Sequence, residues 1–254
     1  MATTLTRKRW AIIASLSAIA ALAVLIGWRT AVGQARAAVM QADPDTLLTD
    51  AALRARVIAD GRPVFVQNCA SCHGADGAGS REAGVPDMRD AEVLHGGGLV
   101  SEFEQIVLHG IRSGDTRGRN LADMPAYGRA TPYTRDRIEP LRPAEIDDLA
   151  TFLSAAQGRR QDRAAVARGK ALYQAKACYD CHVGDASGDP AIGAPNLIDG
   201  VWLHGDGSKA AMRHTIANGL AGISPAFKHH LTPYEARVAA TYAASLADRS
   251  GNVK

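Results

Sequence analysis

The sequence predicts an all-α protein: one N-terminal membrane helix followed by two tandem copies of a small helical unit. Three observations carry this prediction. An uncharged apolar stretch follows a basic cluster near the start. A block containing "CASCH" at 69–73 recurs as "CYDCH" at 178–182. Each copy closes on a segment with clear helix-start signals, and no series of alternating apolar and polar residues marks a strand.

The stretch from Trp10 to Trp28 follows Arg7-Lys8-Arg9 and holds 19 residues without a charge. As a helix it is ~28 Å long, close to the thickness of a bilayer core. A tryptophan stands at each end, and the basic cluster on the N-terminal side predicts that the remainder faces outward. The competing reading is a cleaved signal peptide, for which "GQARAA" offers small-residue sites. Both readings place the bulk of the chain outside the cytoplasm. A formal net charge of +3 over 254 residues speaks against a dedicated nucleic-acid binder.

The repeat runs at an offset of 109 residues. That offset carries Pro86 onto Pro195, Asp90 onto Asp199, Leu94-His95-Gly96 onto Leu203-His204-Gly205, and Gly110 onto Gly219. It then shifts by nine residues, because the first copy holds the extra polar stretch "RSGDTRGRN" before Met124. Each copy opens on an amphipathic segment with an aromatic, Phe65 or Tyr173, just before its cysteines. One further helix is expected in each, at "SEFEQIVLHG" and "KAAMRHTIANG". Pro143 and Glu145 announce the closing helix of the first copy, and Thr232-Pro233-Tyr234-Glu235 that of the second. The expected organisation is an anchor over 1–30, a spacer over 31–55, a first domain over 56–157, a linker over 158–168 and a second domain over 169–249.

All four cysteines, Cys69, Cys72, Cys178 and Cys181, fall in the two C-x-x-C-H motifs. Two thiols at this spacing suit thioether bonds to the two vinyl groups of one haem, and the histidine that follows, His73 or His182, ligates the iron. A four-cysteine zinc site or a redox dithiol needs no histidine after both pairs. The cofactors expected are therefore two covalently bound haem c groups. Covalent haem also staples two cores that are short of aromatics.

A methionine thioether as sixth ligand gives a saturated iron of raised potential, suited to electron transfer. Met124, followed by Pro125, is the natural candidate for the first haem. Met88 competes but aligns with Leu197, which points to packing. His95 and His204 repeat ahead of a glycine and read as loop residues near a haem edge. His109 aligns with Asn218 and reads as structural. Arg112, Arg117 and Arg119 in the insert are candidates for haem propionates or an acidic partner, against a solvated charged loop.

These residues resemble subunit III (CcoP/FixP) of cbb-type cytochrome c oxidases. The resemblance is carried by "ARGKALYQAKACYDCHVGDASGDPAIGAPNLIDGVWLHG" in the second copy and by "HGIRSGD" and "MPAYG" in the first. It implies two tandem class I cytochrome c domains behind the anchor, both with His/Met haems. It also implies electron transfer from a periplasmic cytochrome or quinol-oxidising complex towards oxidase core subunits. The expected location is the cytoplasmic (inner) membrane, crossed once, with the haem domains in the periplasm and the protein acting as an electron-transfer subunit rather than a catalyst by itself.

The departure is Ser224, where the family pattern has the ligating methionine; Phe227 likewise replaces a tryptophan. Three readings follow for the second haem. His229 or His230 is its sixth ligand; Met212 or His214 on the preceding helix is; or the iron is five-coordinate or water-bound. The last makes a gas sensor or a peroxidase-like protein the alternative function, and a free-standing electron shuttle for a dehydrogenase is a third.

Overall fold

The computed structural model describes residues 2–90, 92–130 and 139–247; the last two residues of the expected second domain, 248 and 249, lie outside them. Helix α1 runs over Ala2–Gln41. After a short turn of 3-10 helix at Pro44–Thr46 come α2 (Ala51–Asn68), the one-turn α3 (Ala70–His73), α4 (Val100–His109) and α5 (Pro143–Ala156). The second half repeats the series as α6 (Arg163–Ala175), α7 (Tyr179–His182), α8 (Lys209–Asn218) and α9 (Pro233–Ser245). Among the described residues the only β pairing is a set of isolated bridges.

The helix starts are fixed by side chains that satisfy the first free amides. Asp50 accepts from the amides of Ala52 and Leu53, both at 2.9 Å. Asp162 and Ser208 do the same for α6 and α8. Thr232 and Glu235 form a reciprocal capping box at α9. Each such cap is worth about 1 kcal/mol.

The copies do not close on themselves. The opening helix α2 packs on α9, the closing helix of the other copy, while α6 packs on α5. At the first contact a Cβ on Gly61 would overlap the Val238 carbonyl, and at the second a Cβ on Gly169 would overlap that of Asp148. Glycine is needed there because the helix backbones touch. Rings meet at a tilt beside each crossing, Phe65 with Tyr242 at 5.2 Å between centroids and Phe152 with Tyr173 at 5.4 Å. One core gathers Phe65, Tyr242 and Ala243 with Cys69, Met88, Phe103 and Leu246 around them. Another gathers Tyr173, Tyr127, Leu149 and Met212 with Met124 and Cys178. Residues 124–128 and 141–156 of the first copy thus complete the second body, and 224–245 complete the first.

The expected spacer is structured. Val39 and Leu47 are fully buried with Val57 and Val238. Arg237 donates from Nη1 to the carbonyls of Met40 (3.1 Å), Ala42 (3.3 Å) and Val39 (3.4 Å), and from Nε to Glu104 at 3.1 Å. A cation on the unpaired carbonyls at the end of α1 is favoured by the helix dipole. The Arg36 guanidinium lies over the Tyr234 ring at 5.0 Å. The membrane-type helix is therefore locked to the first body by its last turn.

Candidate haem-binding sites

Both C-x-x-C-H segments fold into a single helical turn at the end of an opening helix. The His73 amide donates to the Cys69 carbonyl at 3.0 Å and the His182 amide to that of Cys178 at 2.9 Å. Spacing of three along such a turn puts both thiols of a pair on one side. Burial pushes Cys69 and Cys178 up to about 11, so both stay neutral.

The loops after the two turns share one backbone pattern. Gly79 and Gly188 donate to the histidine carbonyls at 2.9 and 3.0 Å. Met88 donates to Gly77 and Leu197 to Ala186. Met88 thus occupies Leu197's place, two residues beyond the proline on the histidine side of the site. His182 Nδ1 stands 3.0 Å from the Pro195 carbonyl, leaving Nε2 to bind a metal. Burial lowers the pKa of His73 and His182, and the carbonyls of Pro86 and Pro195 oppose this without overcoming it. The neutral imidazole this favours is the form that ligates iron. Tyr173, fully buried, donates from its hydroxyl to the Val183 carbonyl at 2.6 Å and fixes the second turn from behind.

These residues fit haem c. Each site pairs two cysteines on one helical turn with an imidazole that burial keeps neutral. Buried polar atoms without a partner among the described residues include Arg119 Nη1 and Asp199 Oδ2. A guanidinium nitrogen left open in this way suits a haem propionate.

The sixth-ligand candidates land in an unexpected arrangement. Met124 packs against the core that holds Cys178, not the one that holds Cys69. The strand around it pairs with the second copy: Met124 and Leu220 exchange amide-to-carbonyl bonds, both 2.9 Å. Tyr127 and Gly128 donate to Ile216 and Ala217 at the end of α8, and Tyr127 reaches the Lys176 carbonyl with its hydroxyl at 3.2 Å. The mirror set serves the first body. Ser224 exchanges two bonds of 2.9 Å with Ile111, and Phe227 and Lys228 donate to Val107 and Leu108 at the end of α4. Each strand thus lies against the body of the other copy, Met124 beside the core of Cys178 and Ser224 beside the end of α4. The physical reason is the crossing of the closing helices, which carries the strands with them.

The remaining candidates are spread over the surface and the second core. His229 and His230 are exposed in the turn after Phe227. Met212, 2% exposed, fills the second core at the position Phe103 occupies in the first. His214 is exposed and contacts Asn218. His95 lies against Gly193 and His204 against Gly84, so these loops cross as well. Burial first, then Arg112 and Arg119, brings His95 down to about 4. His109 is buried 3.4 Å from Asp115, which also binds Lys228 at 2.5 Å. Arg112 is committed to the carbonyls of Gly222 (2.5 Å) and Ala122 (2.6 Å), and Arg117 to Gln105 at 3.0 Å. The insert is therefore a clamp on the Ser224 strand as well as a charged loop. Its partner Lys228 carries no sequence signal.

Comparison with known proteins gives a consistent picture. A family model described as cytochrome c matches residues 58–157, and one described as cytochrome c oxidase, cbb3-type, subunit III matches 164–242. The cbb3-type cytochrome c oxidase subunit FixP of Bradyrhizobium sp. (strain ORS 278) is 36% identical over 214 residues, which are 84% of this chain and 69% of that protein. The subunit CcoP of Azospirillum brasilense is 37% identical over 200 residues, 76% of this chain and 63% of that protein. CcoP of Azospirillum sp. (strain B510) is 35% identical over 224 residues, 84% and 71% respectively. The chain thus spans roughly two thirds of the length of these relatives.

Proposed function

The chain belongs to the cbb3-type cytochrome c oxidase subunit III family, membrane-anchored dihaem electron-transfer subunits, and from that premise we propose that it takes electrons from a periplasmic donor and passes them to the core subunits of a terminal oxidase. The observation that carries this reading is the joining of two C-x-x-C-H sites in interlocked bodies to an apolar helix fixed at its last turn. Haem c, bound through Cys69 and Cys72 and through Cys178 and Cys181, supplies reversible one-electron chemistry. The protein's own levers are axial ligand, burial and placement.

His73 and His182 would hold the haem iron as neutral imidazoles, oriented by the loops through Pro86 and Pro195. Met124, packed beside the core of Cys178, would supply a thioether to the haem of the second site, a ligand type that favours the reduced state and raises the potential. The crossed loops, with the Gly96 amide on the Pro190 carbonyl at 2.8 Å and His204 on Gly84, join the two sites through packed backbone. The donor is a soluble cytochrome or a quinol-oxidising complex, and the helix crosses the inner membrane once with both haem bodies outside.

The test is expression in a haem c-maturing host, with pyridine haemochrome analysis of the membrane fraction and reduction by a soluble cytochrome. Two haem c per chain, and transfer to oxidase core subunits that co-purify, support the reading. A soluble protein, or fewer than two haems, would overturn it.

A further inference from the structure

The crossed closure decides which haem lacks a sulfur ligand. With Met124 in the second body, the strand over the first presents Ser224. Its hydroxyl is short and a poor donor to ferrous iron. We propose that the haem held by Cys69, Cys72 and His73 keeps its sixth position free of protein ligands and binds a small neutral diatomic molecule there, beneath the Ser224–Phe227 strand. This rests on the dihaem reading and on the crossed assignment of Met124.

The substitute ligands are held away by named contacts. His229 and His230 follow Phe227, whose amide is tied to the Val107 carbonyl at 2.9 Å and whose carbonyl accepts from His230 and Leu231, both at 2.9 Å. Lys228 adds a bond to the Leu108 carbonyl at 3.1 Å and an ion pair to Asp115. Ser224 itself is held on both sides by Ile111. Bringing either histidine to the iron requires breaking this ladder, so neither takes the methionine's place. Met88 lies on the histidine side, in the loop that also carries Pro86. Met212 is buried in the other body, and His214 is on an exposed face of α8.

The surroundings select the ligand. Phe65, Phe103, Tyr242 and Leu246 form the first core around Cys69, and the insert's Arg112 is spent on backbone carbonyls. An apolar lining of this kind disfavours anions and admits uncharged molecules. Carbon monoxide is the probe, since it binds ferrous haem without proton transfer.

The experiment uses the full-length, haem-loaded protein in detergent. Haem content is measured first, by pyridine haemochrome; a value other than two per chain would fail the functional reading itself. The reduced protein is then titrated with carbon monoxide, and the oxidised protein examined by EPR. One carbon monoxide per two haems, with one low-spin and one high-spin ferric signal, is expected. Ser224→Met should abolish the uptake and convert the high-spin signal to low-spin. Phe103→Ala, or the milder Phe103→Leu, should speed carbon monoxide association several-fold, while Met212→Ala leaves it unchanged. Two low-spin signals without uptake would overturn the proposal. Uptake whose rate responds to Met212 and not to Phe103 would overturn it by placing the open iron in the second body.

Discussion

Met124 and Leu220 lie 96 residues apart in the chain and exchange both backbone hydrogen bonds at 2.9 Å. In the repeat, Leu220 is the counterpart of Ile111, and Ile111 makes the same double exchange with Ser224. Each copy's ligand strand is therefore read against the other copy's helix end, so the two haem sites exist only when the whole chain is folded.

Replacing Met124 with leucine should remove the sulfur from the second site and leave the first unchanged. The weak red charge-transfer band of Met-ligated ferric haem should disappear, and carbon monoxide uptake should double, to one per haem. Visible spectroscopy and titration check this. A band that survives would assign the thioether elsewhere.

The anchor's attachment depends on Arg237. Its substitution by alanine leaves Glu104 buried without a cation, and uncovers three carbonyls at the end of α1. A loss of about 3–5 kcal/mol is expected for breaking a largely buried pair from one side. The double variant with Glu104→Gln should recover part of it. Thermal melts of the full chain followed by far-ultraviolet circular dichroism read both.

Helix crossing at glycine gives a sign test. Gly61→Ala gains up to about 1 kcal/mol in helix propensity, yet its Cβ meets the Val238 carbonyl and the Tyr242 Cβ. Overlap with backbone costs about 1–3 kcal/mol, so net destabilisation is expected. In a double-mutant cycle Gly61 should couple to Tyr242 by about 0.5 kcal/mol or more and not to Phe152. Closure of each copy on itself would reverse the partners.

Acid stability should carry the mark of Asp115. Lys228 first, then the Arg117 amide, holds its carboxyl down to about 2, against 3.8 as the ordinary value. A folded-state value below the unfolded one means that the unfolded chain binds more protons as pH falls. The stabilisation is present above about 3.8 and is lost between there and about 2. Asp115→Asn should flatten denaturation curves in that window and loosen the Ser224 strand. An unchanged acid limb would contradict the clamp.

Chemistry was more legible in the sequence than closure. The thiol spacing, the following histidine and the repeat are local facts, and the caps at Asp50, Asp162, Ser208 and Thr232 sit where short polar residues precede apolar periods. The anchor's apolar run was equally plain, but its continuation to Gln41 was not, because Val39 and Leu47 are held by Val238 from the far end of the chain. The crossing left no local trace. Gly110 and Gly219 end equivalent helices, and Met124 and Ser224 stand on equivalent strands, so each copy offers the other the same partners it offers itself. Only long-range packing, at Gly61 with Val238 and Gly169 with Asp148, distinguishes the two.

The central claim is that Met124 serves the haem of the other copy. An experimental structure of the haem-loaded protein tests it most directly, through the iron that the Met124 sulfur faces. The account predicts the haem joined to Cys178 and Cys181, with His182 opposite and no side chain from residues 224–230 bound at His73's haem. Met124 sulfur on the haem of Cys69 and Cys72 would contradict it.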